Sequence, residues 1–269
     1  MVFIHREGDA AGTYLIPQVS HAWLAWQVAE HWGNRSFARP APRAESLAAV
    51  LLHDGGWTDF DASPTLDGNG RPRTFDAMPV VDHLAIWRRS VLRCAQYNRY
   101  AGLLVAAHFG AMAERKLADL LDRDDTGGAR TVQSFGAEMD RLERSWREEL
   151  GTDARYQPYL EGPGRQVNSR LLDTCDRISV YLCASLPAPF EVWAQNAAGD
   201  TEVISFETVD DTTWRVQPWP LEGERLTLQC EGRRIQSTNF ASEEDFQETM
   251  ARAPTVRLVF TLLRSSAVG

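Results

Sequence analysis

The sequence predicts an α+β protein, with an all-helical core over residues 1–187 and a C-terminal antiparallel β-sheet elaboration over residues 188–269. Three observations carry this. Up to about residue 187, apolar residues recur three and four apart, the spacing of one helix face. Beyond it, short alternating or β-branched runs are separated by turn residues. The six histidines (5, 21, 31, 53, 83 and 108) all fall in the first 108 residues, so the two parts differ in chemistry as well as period.

Residues 17–33, "PQVSHAWLAWQVAEHWG", read as a helix opened by Pro17 or Ser20 and closed by Gly33. One face carries His21, Leu24, Ala25, Val28 and Trp32. His31 lies at the edge of that face, and His5 and His31 are read as non-ligands. Residues 42–54, "PRAESLAAVLLHD", form a second helix with Leu47, Val50, Leu51 and Asp54 on one stripe and His53 beside it. Gly55-Gly56 ends this helix. An aspartate on an apolar stripe costs several kcal/mol unless it is paired or binds a metal.

The loop that follows, "TDFDASPTLDGNGRPRTFDAM", is long for a compact domain, which points to function. Pro79 suits the first turn of a third helix, whose face carries His83, Ile86, Trp87, Ser90, Val91 and Cys94. A fourth helix, about 97–121, aligns Tyr97, Ala101, Leu104, Val105, His108 and Met112. Residues 122–132 read as a polar linker, and 134–150 as an amphipathic helix. The last helix of the core, "RQVNSRLLDTCDRISVYLCASL", places Leu172, Asp176, Ser179 and Cys183 on one face. Strands are expected in "FEVWAQNA", "EVISFETV", "TWRVQPW", "RLTLQC", "RRIQSTNF" and "VRLVFTLL", with one helix in "SEEDFQETMARA". The sheet would serve as structural cover, form a separate binding module, wall a pocket, or pair two copies as a homodimer.

Composition narrows the function. The net charge of −9 argues against an electrostatic nucleic-acid binder. Lys116 is the single lysine, so nearly all positive charge is arginine. None of Cys94, Cys175, Cys183 and Cys230 forms a C-x-x-C pair, which argues against a zinc knuckle or a thioredoxin-type site. The start, "MVFIHREGDA", reads as neither signal peptide nor membrane anchor, and no apolar run reaches membrane-spanning length. A cytoplasmic protein with reduced thiols and no membrane partner is expected.

Histidines and aspartates on inward helical stripes point to a metal. Imidazole and carboxylate at the centre of a bundle are ligands for iron, manganese or zinc. The candidate ligands are His21, His53, Asp54, His83, His108 and Asp176. Six are too many for one open catalytic ion and suit a pair sharing Asp54.

His21, then His53-Asp54, then Asp176 in "CDRIS", resembles the H…HD…D pattern of the HD-domain metalloprotein superfamily. His83 and His108, between the HD pair and the last aspartate, resemble its dinuclear branch, which includes HD-GYP phosphodiesterases and mixed-valence di-iron oxygenases. "HDGGWTDFDASP", "IWRRSV", "AAHFG" and "PWP" are similar to the DUF3891 family, across nearly the whole chain. The HD resemblance implies an HD-domain-like helical core with two divalent ions: iron first, with manganese, zinc or magnesium as alternatives. His21, His53, Asp54 and Asp176 would hold the first ion. Asp54, His83 and His108 would hold the second. A lysine usual after the HD pair is replaced here by Gly56, Trp57 and Asp59, and the GYP element is missing, which argues against cyclic-di-GMP.

The resemblance implies hydrolysis of a small phosphate ester or phosphodiester. Oxidative cleavage by a di-iron pair is the alternative, and a metal-bound structural or sensing protein the second alternative. Asp59 and Asp61 would position a water or accept a proton, or form a solvated acidic turn. Trp57 would wall the pocket or fill the core. Arg88 and Arg89 would hold an anionic small-molecule substrate or make surface ion pairs.

Overall fold

A computed structural model describes residues 4–7, 12–186 and 188–265. It is an α+β protein. Two short strands, β1 (Ile4–Glu7) and β2 (Thr13–Ile16), precede helices α1 (Gln18–Glu30) and α2 (Arg43–Leu52). A 3-10 turn at Gly55–Trp57 leads into α3 (Thr58–Ala62). Then come α4 (Val80–Tyr97), α5 (Arg99–Asp122), α6 (Thr126–Leu150) and α7 (Gly162–Ala184). The chain continues with β3 (Phe190–Gln195), β4 (Thr201–Asp210), β5 (Thr213–Gln217), β6 (Arg225–Ile235), α8 (Glu243–Arg252) and β7 (Thr255–Arg264).

Local chemistry sets several helix starts. Asn98 caps α5 by accepting the Ala101 amide at 3.0 Å, and Asp125 caps α6 by accepting from Gly128 at 2.9 Å. Ser242 caps α8 through the Asp245 amide at 3.2 Å. Each cap satisfies an amide that the first helical turn leaves without a partner. Because Asp125 opens α6, most of the stretch expected to be a linker at 122–132 is helical. Likewise Thr58–Ala62, expected within the long loop, forms α3.

The sheet differs from the expected one in three ways. Its order is β1-β2-β6-β7-β5-β4-β3, so strands from the N-terminus join it through the β2–β6 pairing. It is also mixed rather than wholly antiparallel, because β5 and β7 run parallel. "RRIQSTNF" is no separate strand, since β6 runs on through Ile235 and ends there.

Helices and sheet share one core. In β3, Phe190, Val192 and Ala194 are buried while Glu191 and Trp193 alternate outward, so one sheet face lies on the helices. Leu24 and Val28 of α1, Leu104 of α5 and Leu182 of α7 join Ile204, Leu228 and Phe260 of the sheet in that cluster. Polar contacts fix the docking. Gln27 exchanges two hydrogen bonds with the Gln229 backbone, and Ser20 exchanges two with Glu231, so α1 lines the β6 backbone much as a strand would. The buried guanidinium of Arg6 donates to the carbonyls of Leu182 and Asp211, tying β1 to the end of α7. All four cysteines are buried and free, as expected of core residues. Among the described residues, no helix is long and apolar enough to cross a membrane.

Candidate metal centre

Four helices converge on the His/Asp residues. α1 brings His21. α2 ends at Leu52 and delivers His53 and Asp54 as the chain leaves the helix. α5 brings His108, and α7 brings Asp173, Asp176 and Ser179 at successive three-residue steps of one face. Gly56 permits the close approach of this corner to α4. Its amide donates to Ser90 Oγ at 2.9 Å, and a Cβ there would collide with the Ile86 carbonyl and lie 2.8 Å from the Ser90 nitrogen.

His21, His53 and Asp176 each offer a ligand atom, all within 4.8 Å of one another. Asp54 joins them, with Oδ2 2.7 Å from His21 Nε2 and 3.6 Å from His53 Nε2. Asp176 Oδ1 lies 3.3 Å from His53 Nε2, and its Oδ2 lies 3.6 Å from His108 Nε2. Two ligands about 2.1 Å from one ion lie about 3.0 Å apart at a right angle and about 3.4 Å apart at a tetrahedral angle. The separations bracket those values.

The hydrogen bonds hold the Nδ1 side of two rings and turn both Nε2 atoms toward the carboxylates. His53 Nδ1 donates to the Val50 carbonyl at 2.7 Å, so in the neutral ring the lone pair is on Nε2. His21 Nδ1 donates to Ser179 Oγ at 2.8 Å, while Ser179 gives its own proton to the Asp176 carbonyl at 2.7 Å. His21 Nε2 in turn is hydrogen-bonded to Asp54 Oδ2 at 2.7 Å, a contact that an ion between them would replace. Among the described residues, His53 Nε2 and both nitrogens of His108 are buried without a hydrogen-bond partner. Such atoms carry a desolvation penalty that a cation would remove. The donor set, imidazole nitrogen and carboxylate oxygen, suits a divalent transition metal. A backbone carbonyl and a hydroxyl holding the far ring nitrogens are the usual outer support of metal-binding histidines.

Burial opposes a charge on His53, but Asp54 and Asp176 outweigh it and hold the ring up to about 9. Burial likewise works against ionised Asp54 and Asp176, yet the neighbouring histidines keep both carboxyls below the usual carboxylate range. Burial pushes His108 down, against the pull of Asp176.

The other sequence candidates sit elsewhere. His83 packs its ring against Trp57 and Trp87, at centroid distances of 5.3 and 4.5 Å, and burial pushes it down to about 4. Trp57 is buried in a small cluster with Met78 and Ile86. Asp61 is buried and accepts the Val19 amide at 3.5 Å, in the first turn of α1 just before His21. Asp59 is exposed and pairs with Arg89 and Arg93 at 3.0 and 3.2 Å. Arg88 makes a two-pronged pair with Glu138. His31 Nδ1 donates to the Gln27 carbonyl of its own helix. His5 lies in β1, and its side chain is outside the described residues.

Sequence reasoning did not single out Asp173, Arg115, Ser169 or Arg170, nor the role of Ser179 as support for His21. A cleft of about 350 Å³ between α5, α7 and β3 is lined by His108, Arg115, Ser169, Arg170, Asp173 and Gln195, among others. A signal was present: Arg115 stands seven residues after His108, and Asp173 three before Asp176, so each shares a helix face with a candidate ligand.

Comparison with curated proteins and with solved structures finds no match. Residues 3–237 match the model of a family described as a protein of unknown function, DUF3891. That match spans most of the chain, including every candidate ligand, and the chain belongs to the DUF3891 family.

Proposed function

We propose that this protein is a metal-dependent phosphohydrolase acting on a small phosphate ester. The observation that carries the reading is the convergence of the Nε2 atoms of His21 and His53 on two largely buried carboxylates. Each is set by a hydrogen bond on the opposite ring nitrogen, and each faces the carboxylates of Asp54 and Asp176. These four residues would hold one divalent ion. His108, with the second oxygen of Asp176, would hold another. In this arrangement Asp176, in place of the Asp54 expected from the sequence, spans the two positions, because its oxygens face both His53 and His108, and His83 supports the aromatic wall instead of ligating.

Ions bound there would supply Lewis acidity toward a phosphoryl oxygen and lower the pKa of a coordinated water. The chain's own part is to hold the ligands rigidly. Val50 and Ser179 fix the two imidazoles, and burial of Asp54 keeps bulk water from competing. The likeness of the H…HD…D pattern to the HD-domain superfamily supports hydrolysis, and the arginines beside His108 fit an anionic ester.

The test is reconstitution of chelator-stripped protein with manganese, zinc or ferrous iron, followed by assay with p-nitrophenyl phosphate and its bis ester. Hydrolysis that depends on the metal and is lost in His53→Ala is expected. Two bound irons with oxygen consumption and no phosphatase activity would replace this reading with the oxygenase.

A further inference from the structure

From the cleft between α5, α7 and β3 we infer a dedicated subsite for the phosphoryl group of the substrate, built by Arg115, Arg170 and Ser169, with Gln195 accepting a hydroxyl of the alcohol part. This deepens the phosphohydrolase reading and rests on it.

The first observation is a local reversal of charge. The chain carries −9 overall. Yet three guanidiniums gather on one carboxylate at the cleft. Asp173 has Arg115 at 3.1 Å, Arg177 at 3.3 Å and Arg170 at 4.0 Å. Arg177 lies outside the cleft lining, so Arg115 and Arg170 against Asp173 leave a net positive charge at the cleft, which favours an anion. Arginine presents a planar fork suited to phosphate oxygens. Arg115 and Arg170 line the cleft, each about half exposed, so donors remain for a ligand. Arg177 is also held over the ring of Trp193 and serves to anchor Asp173.

The second observation concerns polar atoms without partners. Ser169 Oγ and Gln195 Oε1 belong to residues that line the cleft, and both atoms are buried without a hydrogen bond among the described residues. The Gln195 amide nitrogen is engaged by Gln166 and the Gly199 carbonyl, so its orientation is set and its oxygen is the open end. A hydroxyl can donate to a phosphate oxygen, and an amide oxygen needs a donor in return. A phosphate ester of a hydroxylated alcohol supplies both.

The third is position. The cleft reaches His108, whose Nδ1 lies 3.8 Å from Asp173 and whose Nε2 lies 3.6 Å from Asp176. An anion held by Arg115 and Arg170 would sit next to the metal ligands rather than on a remote surface. Ala107 and Ala111 keep the wall low, and the volume of about 350 Å³ limits the occupant to a small molecule.

The experiment is calorimetric titration of the full chain with inorganic phosphate, both metal-free and zinc-loaded, with acetate as a second probe. Phosphate should bind at one site and acetate at least about tenfold more weakly. Arg115→Gln and Arg170→Gln should each weaken phosphate by about tenfold or more, the size expected for a lost charge-assisted hydrogen bond. Arg88→Gln, outside the cleft, should leave it unchanged. Asp173→Asn should bind phosphate more tightly, because a competing carboxylate is gone, and a gain of binding is not what a damaged fold produces. Equal phosphate binding in wild type and both arginine variants would overturn the subsite, whatever the metal content. Arginine-dependent binding that persists in a protein that takes up no metal would uphold the subsite while refuting the hydrolase centre.

Discussion

His53 Nε2 lies 3.3 Å from Asp176 Oδ1, joining the end of α2 to the middle of α7. His53 is buried and its Nε2 has no hydrogen bond among the described residues. In metal-free protein, Asp54 and Asp176 favour a proton at that nitrogen. A divalent cation would compete for the same place and meet the same carboxylates.

The residues behind the ligands should matter nearly as much as the ligands. Ser179 holds His21 at Nδ1. Ser179→Ala is expected to weaken zinc affinity by about 10- to 100-fold, the usual effect of losing an outer partner of a metal-binding histidine. Competition against a chromophoric chelator would measure it. Unchanged affinity would show that Ser179 does not orient the ring.

The two glycines after the HD pair should behave oppositely. A Cβ on Gly55 meets nothing within 4 Å, whereas on Gly56 it meets the backbone of Ile86 and Ser90. Gly56→Ala is expected to cost about 1–3 kcal/mol through overpacking and to loosen the metal site. Gly55→Ala should be close to neutral. Urea midpoints of the two variants decide it.

Stability of the metal-free protein should fall as pH rises from about 6.5 to about 9. The folded pKa of His53 is raised to about 9. Its contribution is therefore complete below the ordinary value near 6.5 and is lost as pH climbs through 9. The loss is on the order of 3 kcal/mol. With zinc present the trend should reverse, because the metal needs the deprotonated nitrogen. Urea unfolding at the two pH values, with chelator and with zinc, tests both signs. His53→Gln should flatten both.

The inward histidines and aspartates were easier to read than their spatial grouping. His21, Asp54, His108 and Asp176 stood out because a polar side chain on an apolar helical stripe needs a reason. His83 had the same signature, but helical period reports which face a residue occupies and not what lies opposite. Here the opposite side is aromatic, with Trp57 and Trp87 against the ring. The four-residue strands β1 and β2 were illegible because their place in the sheet depends on β6, far along the chain. Alternation in β5 and β7 revealed burial but not direction, so the parallel pairing was hidden too. The start of α6 was masked by Gly127-Gly128, where the cap from Asp125 outweighs low helix propensity.

Whether the His/Asp cluster holds metal is decided by elemental analysis of the full chain purified without chelator and then dialysed against zinc or ferrous iron. One to two equivalents of divalent metal per chain are expected in the wild type. Less than about a tenth of that is expected in the double variant His53→Ala with Asp176→Asn, since metal affinity is lost with the ligands. Wild-type protein that binds no metal, or a double variant that binds as much as wild type, would contradict a metal centre here.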